Sequence, residues 1–171
     1  GTTLQTVVCT RDQGWVVAVV RGNDELNEAK LGHAVSGELA LASDAELKDS
    51  GFTIGFVGAA IAAQRENVVL VVDPSATQHQ FWVTGANETD YHVKGFDWHR
   101  DVIEPLGDKA SERVHVADIR NAAAGDPSPL NDGGTLEERK GIELGHIFKL
   151  GDKYTKALGV TVADENNQPA T

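Results

Sequence analysis

Six histidines (33, 79, 92, 99, 115 and 146) and one cysteine, Cys9, are the side chains best suited to move a proton near neutrality or attack a carbonyl. Their spacing excludes several chemistries. No His-x-His, His-Glu-x-x-His or paired-cysteine pattern is present, so the donor spacing of a zinc site is missing. There is no Gly-x-Ser-x-Gly elbow and no Ser, His, Asp order of a serine hydrolase. Cys9 lies in the apolar run LQTVVCT, where a thiol is expected to be structural. Two stretches remain. In FWVTGANETDYHVKGFDW, residues 81–98, His92 stands at the mouth of a loop. In GFTIGFVGAAIA, residues 51–62, three glycines sit among apolar residues without a charge. Each stretch has two readings. His92 is a satisfied hairpin histidine or the polar group of a site built on a loop edge. The glycine run is a buried loop and helix, or a loop whose N–H groups face a ligand. It lacks the lysine of a phosphate-binding Walker loop.

The elements that must carry these residues follow from apolar periodicity. Residues 4–10 (LQTVVCT) and 15–20 (WVVAVV) predict two strands joined by a turn at Asp12-Gln13-Gly14. WVVAVV is apolar on both faces, as in the middle of a covered sheet. Residues 25–31 predict a helix, and 39–41 a short strand. Ser43 with Glu46 has capping-box spacing and predicts a helix to about Asp49. VVLVV, residues 68–72, predicts a buried strand closed by Asp73-Pro74. A helical turn is expected over 75–79. Strands are expected over 81–84 and 91–98, with Gly85-Ala86-Asn87 opening the turn between them. Residues 99–108 are polar and predict a loop. A short strand is expected over 114–116, and 125–134 is rich in turn residues. Residues 142–150 (IELGHIFKL) predict a strand, 153–158 a helix, and 164–171 a frayed tail.

Composition bounds the function. The 171 residues are 40% hydrophobic, enough for a core and about one domain. The formal charge is −11, from 15 Lys and Arg against 26 Asp and Glu. That balance opposes unaided nucleic-acid binding, which rests on clustered cations. One cysteine excludes an internal disulfide and fits a cytoplasmic setting. No apolar run reaches the length of a membrane span. The chain starts GTT and holds no methionine, which suggests a piece of something longer.

The residues DIRNAAAGDPSP and GTLEERKGIELGHIFKLGDKYTKAL, between 118 and 158, resemble bacterial-type prolyl-tRNA synthetase where its editing insertion rejoins the class II catalytic core. VVRGNDELNEAKL and GANETDYHVKGFDWHRD resemble the insertion itself, and the free-standing Cys- and Ala-tRNA(Pro) deacylases share its superfamily. The resemblance implies an α/β fold, a mixed, curved β-sheet flanked by helices. Residues 1–136 would be the insertion, without its first helix, and 137–171 a remnant of the core. It implies hydrolysis of mischarged tRNA, chiefly Ala-tRNA(Pro), with no cofactor; ATP and Mg belong to the parent synthetase core. The alternative is a silent insert that binds the acceptor end or stabilises the parent. The partner implied is the tRNA(Pro) acceptor end, held with the help of other domains of a homodimeric parent, and no membrane.

Matched residue by residue, His92, Gly95 and Trp98 fit the family's H-x-x-G-x-x-W editing histidine context. Gly55, Phe56, Val57, Gly58 and Ala59 fit its G-x-x-x-P substrate loop, with Ala59 in place of proline. The alignment puts Thr10 where the family has a lysine near the substrate. Adjacent Arg11 is the candidate replacement, and Lys30 a second cation. Glu143 and His146 fall in the core remnant and are expected to be idle.

Overall fold

The computed structural model describes residues 2–12 and 14–170 and divides the chain into two compact units, Gly1–Ala122 and Ala123–Thr171. The first unit is a five-stranded mixed sheet flanked by helices, which is the expected fold class. Strand β1 (Leu4–Arg11) pairs antiparallel with β2 (Gly14–Arg21) from Leu4↔Arg21 to Arg11↔Gly14. Of the expected turn at 12–14, Gln13 lies outside the described residues. Helix α1 (Glu28–Val35) starts later than predicted, because the Asn27 side chain accepts from Lys30 N–H and so caps it. Strand β3 (Ala40–Leu41) pairs with only Cys9 and Thr10 of β1. Helix α2 (Asp44–Asp49) opens with the predicted capping box, Ser43 N–H donating to Glu46 at 2.8 Å. After α3 (Ala59–Ala63), strand β4 (Val68–Val72) runs parallel to β2.

The sheet is covered on both faces. Leu4, Val8, Val17, Val19, Leu70 and Val72 pack with Phe52, α3, Trp82, Phe96 and Val102. Cys9, Val16, Ala18, Val20 and Val71 pack with Leu31 and Ile119. Residues 16–20 of the apolar run in β2 are therefore fully buried, on both faces of the sheet, as their sequence requires, and Trp15 at its start is half-buried. Burial pushes the Cys9 thiol up to about 11, with Glu28 adding to the effect, so Cys9 is an inert core residue.

Strands β5 (Trp82–Gly85) and β6 (His92–Phe96) form a separate two-stranded ribbon. Residues 99–106, expected to be loop, are helical instead: a wide turn over His99–Ile103 runs into α4 (Glu104–Leu106). Trp98, Val102 and Leu106 recur every four residues and pack on the core, and Val102 is fully buried. Polar composition hid that spacing. Helix α5 (Ala110–Arg113) leads into the predicted strand β7 (Val114–Val116), parallel to β4.

In the second unit, residues 142–150 form no strand, contrary to expectation. Ile142, Leu144 and Ile147 are 89–99% exposed. A lone strand has no ladder to join and no face to bury. Helix α6 (Lys153–Leu158) forms as predicted. The expected frayed tail instead returns as a small hairpin, β8 (Val162–Ala163) with β9 (Pro169–Ala170), because the Asp164 side chain accepts from Asn166 and Gln168 N–H at 2.8 Å.

A charged cluster ties the end of β2 to the residues after β4 and β7. Arg21 donates to Asp24 at 2.8 Å, Ser75 donates to Asp24 at 3.0 Å and to Asp73 at 2.6 Å, and Arg120 lies 3.9 Å from both carboxylates. Burial alone would raise the Asp24 carboxyl, but hydrogen bonds from Arg21 and Ser75, with the charges of Arg21 and Arg120, hold it below its ordinary value. A depressed carboxyl contributes stability above its unfolded pKa of about 4 and loses it as pH falls through the lower folded value. Urea midpoints measured from pH 7 down to pH 3 should therefore fall for the wild type. The fall should be shallower in Asp24→Asn, which starts from a lower midpoint at pH 7.

Candidate functional site

The ribbon and the glycine-rich loop are fastened by backbone contact. Gly85 ends β5 opposite His92, the first residue of β6. A Cβ on Gly85 would enter the Phe56 carbonyl and lie 2.8 Å from the carbonyl carbon of Val57. A Cβ on Gly58 would meet the Gly85 carbonyl. Only glycine at both positions lets the two backbones approach this closely. Asn87, at φ 55°, completes the fastening. Its N–H donates to Phe56 O at 2.7 Å, and its side chain accepts from Thr53 N–H at 2.8 Å and donates to Gly51 O at 3.1 Å. Its carbonyl accepts from the Thr53 hydroxyl at 2.6 Å.

This clasp places His92 against the loop. The rings of Phe56 and His92 meet edge to face, 5.5 Å between centroids. Beside them opens a cavity of about 640 Å³, walled by residues 4–8 of β1, by Gly55 and Val57 of the loop, by Gly85 and by His92, with Leu41, Ala42 and Leu47 on the remaining side. The structure thus brings together His92, Gly55 and Val57, with Phe56 on the imidazole.

Gly58 and Ala59 stand elsewhere. Gly58 is spent on the contact with Gly85, and Ala59 is fully buried in the core at the start of α3. Thr10 and Arg11 are also apart from His92. They line a separate depression with Glu46 and Asp49, and the Thr10 hydroxyl donates to Ala40 O at 3.3 Å. The reason is strand length: at about 3.3 Å per residue, Thr10 lies roughly 13 Å along β1 from Thr6 at the cavity. Lys30 does not line the cavity; its ammonium bonds Asp118 at 2.8 Å and Arg120 O at 2.9 Å.

Gln5 and Thr6 are the polar wall residues that sequence reasoning missed. Their strand was legible, but nothing local marks which part of it faces the cavity. Among the described lining residues His92 is the sole titratable side chain. The wall offers an imidazole, an amide and backbone groups, but neither a carboxylate nor a cysteine. Such a site can position an ester and a water molecule without forming a covalent acyl-enzyme. Among the described residues no cluster of three or more His, Cys, Asp or Glu is arranged to hold a metal ion.

Residues 1–101 match the family described as aminoacyl-tRNA editing domain. The chain is 40% identical over 163 residues to the proline–tRNA ligase of Polaromonas naphthalenivorans (strain CJ2), covering 93% of this chain and 26% of that protein. It is 41% identical over 160 residues to the proline–tRNA ligase of Stenotrophomonas maltophilia (strain K279a), covering 92% and 26%. The chain thus spans about a quarter of the length of the curated relatives it matches. In fold it is similar to the crystal structure of a proposed trans-editing enzyme for prolyl tRNA synthetase, with TM-score 0.54, 19% identity, and 71% of each chain covered. It is also similar to that of a hypothetical protein, APE2540, with TM-score 0.56, 22% identity, and 70% and 75% covered.

Proposed function

The chain belongs to the aminoacyl-tRNA editing domain family, and on that premise we propose that it hydrolyses mischarged tRNA(Pro), chiefly Ala-tRNA(Pro), as the editing insertion of a cytoplasmic prolyl-tRNA synthetase. The observation that carries this reading is the cavity bounded by His92, the Gly55–Val57 loop wall and β1, all within the residues matched to the family. Its volume of about 640 Å³ suits a terminal aminoacyl-adenosine better than a free amino acid.

The physical need is a second sieve. A synthetic site built for proline discriminates against alanine by only about 1–3 kcal/mol for each missing methylene or two. A separate pocket that admits the smaller residue removes the error. Water attacks the ester carbonyl, the C–O bond to the ribose breaks, and the water proton passes to the departing ribose oxygen with help from the neighbouring ribose hydroxyl. The products are alanine and free tRNA. His92, held on edge by Phe56, orients the terminal adenosine or the amino acid. The charge of −11 leaves the grip on the tRNA body to other domains of the parent, to whose core residues 137–171 would belong.

A second reading is an insert that holds the acceptor end without hydrolysing it. It is favoured by the lack of a lysine or arginine among the described lining residues. Release of alanine from Ala-tRNA(Pro) separates the two. The 171-residue chain, in single turnover at low ionic strength, is expected to release alanine well above the buffer rate. Release at the buffer rate, by the chain and by the parent enzyme alike, would overturn the editing reading.

A further inference from the structure

The ribbon of β5 and β6 has two faces, and its ladder assigns residues to them. Trp82 and Thr84 are buried on the core face, where Phe96 and Val93 stand opposite them. Val83, Gly85, His92 and Lys94 share the other face, because residues opposite in a ladder and alternate residues along a strand lie on the same side. The register is unbroken from His92 to Lys94; the irregularity falls beyond them, between Val83 and Trp82. The glycine-rich loop lies on this second face, since its backbone takes the place a Gly85 side chain would fill. The His92 ring stands there against Phe56. Lys94 therefore continues the face of the loop and of His92, about 7 Å further along β6.

Lys94 is exposed, and among the described residues nothing bonds to its ammonium or pairs with it. In a chain with 26 acidic and 15 basic residues, other cations are taken. Arg21 bonds Asp24, Lys30 bonds Asp118, and Arg100, nearest to Lys94 in the chain, bonds Asp101 at 2.6 Å and Gly95 O at 2.8 Å. The surface next to Lys94 is also open. Gly95 has φ 78°, and a Cβ there would meet no atom within 4 Å. A terminal nucleoside whose ester lies beside His92 finds no lysine or arginine among the described lining residues of the cavity. Its 5′-phosphate must then be met outside, by a chain whose net charge of −11 repels it. An unspent lysine charge at the rim supplies the missing attraction, as a point charge on a long stem.

We propose that Lys94 is a substrate-positioning residue that binds the 5′-phosphate of the terminal nucleotide at the rim of the cavity. The proposal rests on the reading of the cavity as an aminoacyl-ester site. It gives the terminal nucleotide a second point of attachment, so that the ester is held from the phosphate side as well as from His92.

The test is binding of two non-hydrolysable amides, 3′-alanylamino-adenosine and its 5′-monophosphate, which differ only by the phosphate. Calorimetry would use the whole chain as wild type, Lys94→Gln and Lys94→Arg. The wild type is expected to bind the phosphorylated analogue about 3- to 5-fold more tightly at low ionic strength, a margin that shrinks as salt is added. Lys94→Gln should abolish or reverse that margin while leaving binding of the unphosphorylated analogue within about 2-fold; Lys94→Arg should keep it. All three proteins should melt alike, since the side chain is exposed and unpaired. A margin unchanged in Lys94→Gln, an equal loss for both analogues, or no margin in the wild type would overturn the proposal and leave the cavity reading standing. Binding of neither analogue by the wild type would overturn both. Hydrolysis is scored separately. Analogue binding with no alanine release from Ala-tRNA(Pro) would sink the editing reading and leave the role of Lys94 intact.

Discussion

Gly85→Ala is expected to be the most damaging single-methyl change in the first unit. The added Cβ would enter the Phe56 carbonyl and sit 2.8 Å from the Val57 carbonyl carbon, both backbone atoms that no rotamer change can move away. Overpacking of this kind costs typically 1–3 kcal/mol, and a backbone clash belongs at the upper end, about 3 kcal/mol. The consequence reaches the cavity, because the same contact keeps Gly55, Val57 and His92 together. Thermal melts should show a fall of several degrees or more, and alanine release should drop with it. Gly58→Ala should behave alike, its Cβ meeting the Gly85 carbonyl from the other side and lying 2.9 Å from the carbonyl carbon. Gly55→Ala is the contrast. No atom lies within 4 Å of its Cβ, and the only penalty is φ of 80°, about 1–2 kcal/mol. If Gly85→Ala melts like wild type, the clasp is not what fixes the loop.

His92→Ala is expected to separate activity from stability. The side chain is exposed, its ring meets that of Phe56 edge to face, and surface truncations usually change stability by within ±0.5 kcal/mol. Loss of a group that orients the reacting ester should cost roughly 100-fold or more in single-turnover alanine release. Arg11→Ala is the matching control. Had Arg11 supplied the cation expected near Thr10, its loss would slow editing. Because Thr10 and Arg11 line a different depression, the rate should stay within about 2-fold of wild type. A large fall in Arg11→Ala with none in His92→Ala would move the site to that depression.

The two predictions draw on different levels of information. His92 was legible as a candidate because a polar ring at the start of a strand after Gly85-Ala86-Asn87 is a local pattern, and the flanking motifs gave it a family context. The buried strands were legible for the same reason. WVVAVV and VVLVV have few stable places outside a covered sheet, and Ser43 with Glu46 fixes a helix start within four residues. The family was legible in long ordered motifs, and the match over residues 1–101 agrees.

Other features depend on what meets across space. Residues 99–106 read as loop because His99, Arg100, Asp101, Glu104 and Pro105 break up Val102, Ile103 and Leu106, although Val102 is fully buried. The run at 142–150 read as a strand because its own composition suits one, but a strand needs a neighbour that composition does not provide. The site shows the same division most clearly. Sequence by itself determined that His92 and the glycine run were the places to look, since turn chemistry and glycine freedom are properties of a few adjacent residues. Only the tertiary structure decided that Thr6, and not Thr10, shares their cavity. That choice follows from β3 ending after two pairs with β1 and from Gly85 lying on the loop backbone, and both are long-range pairings that no local window of residues encodes.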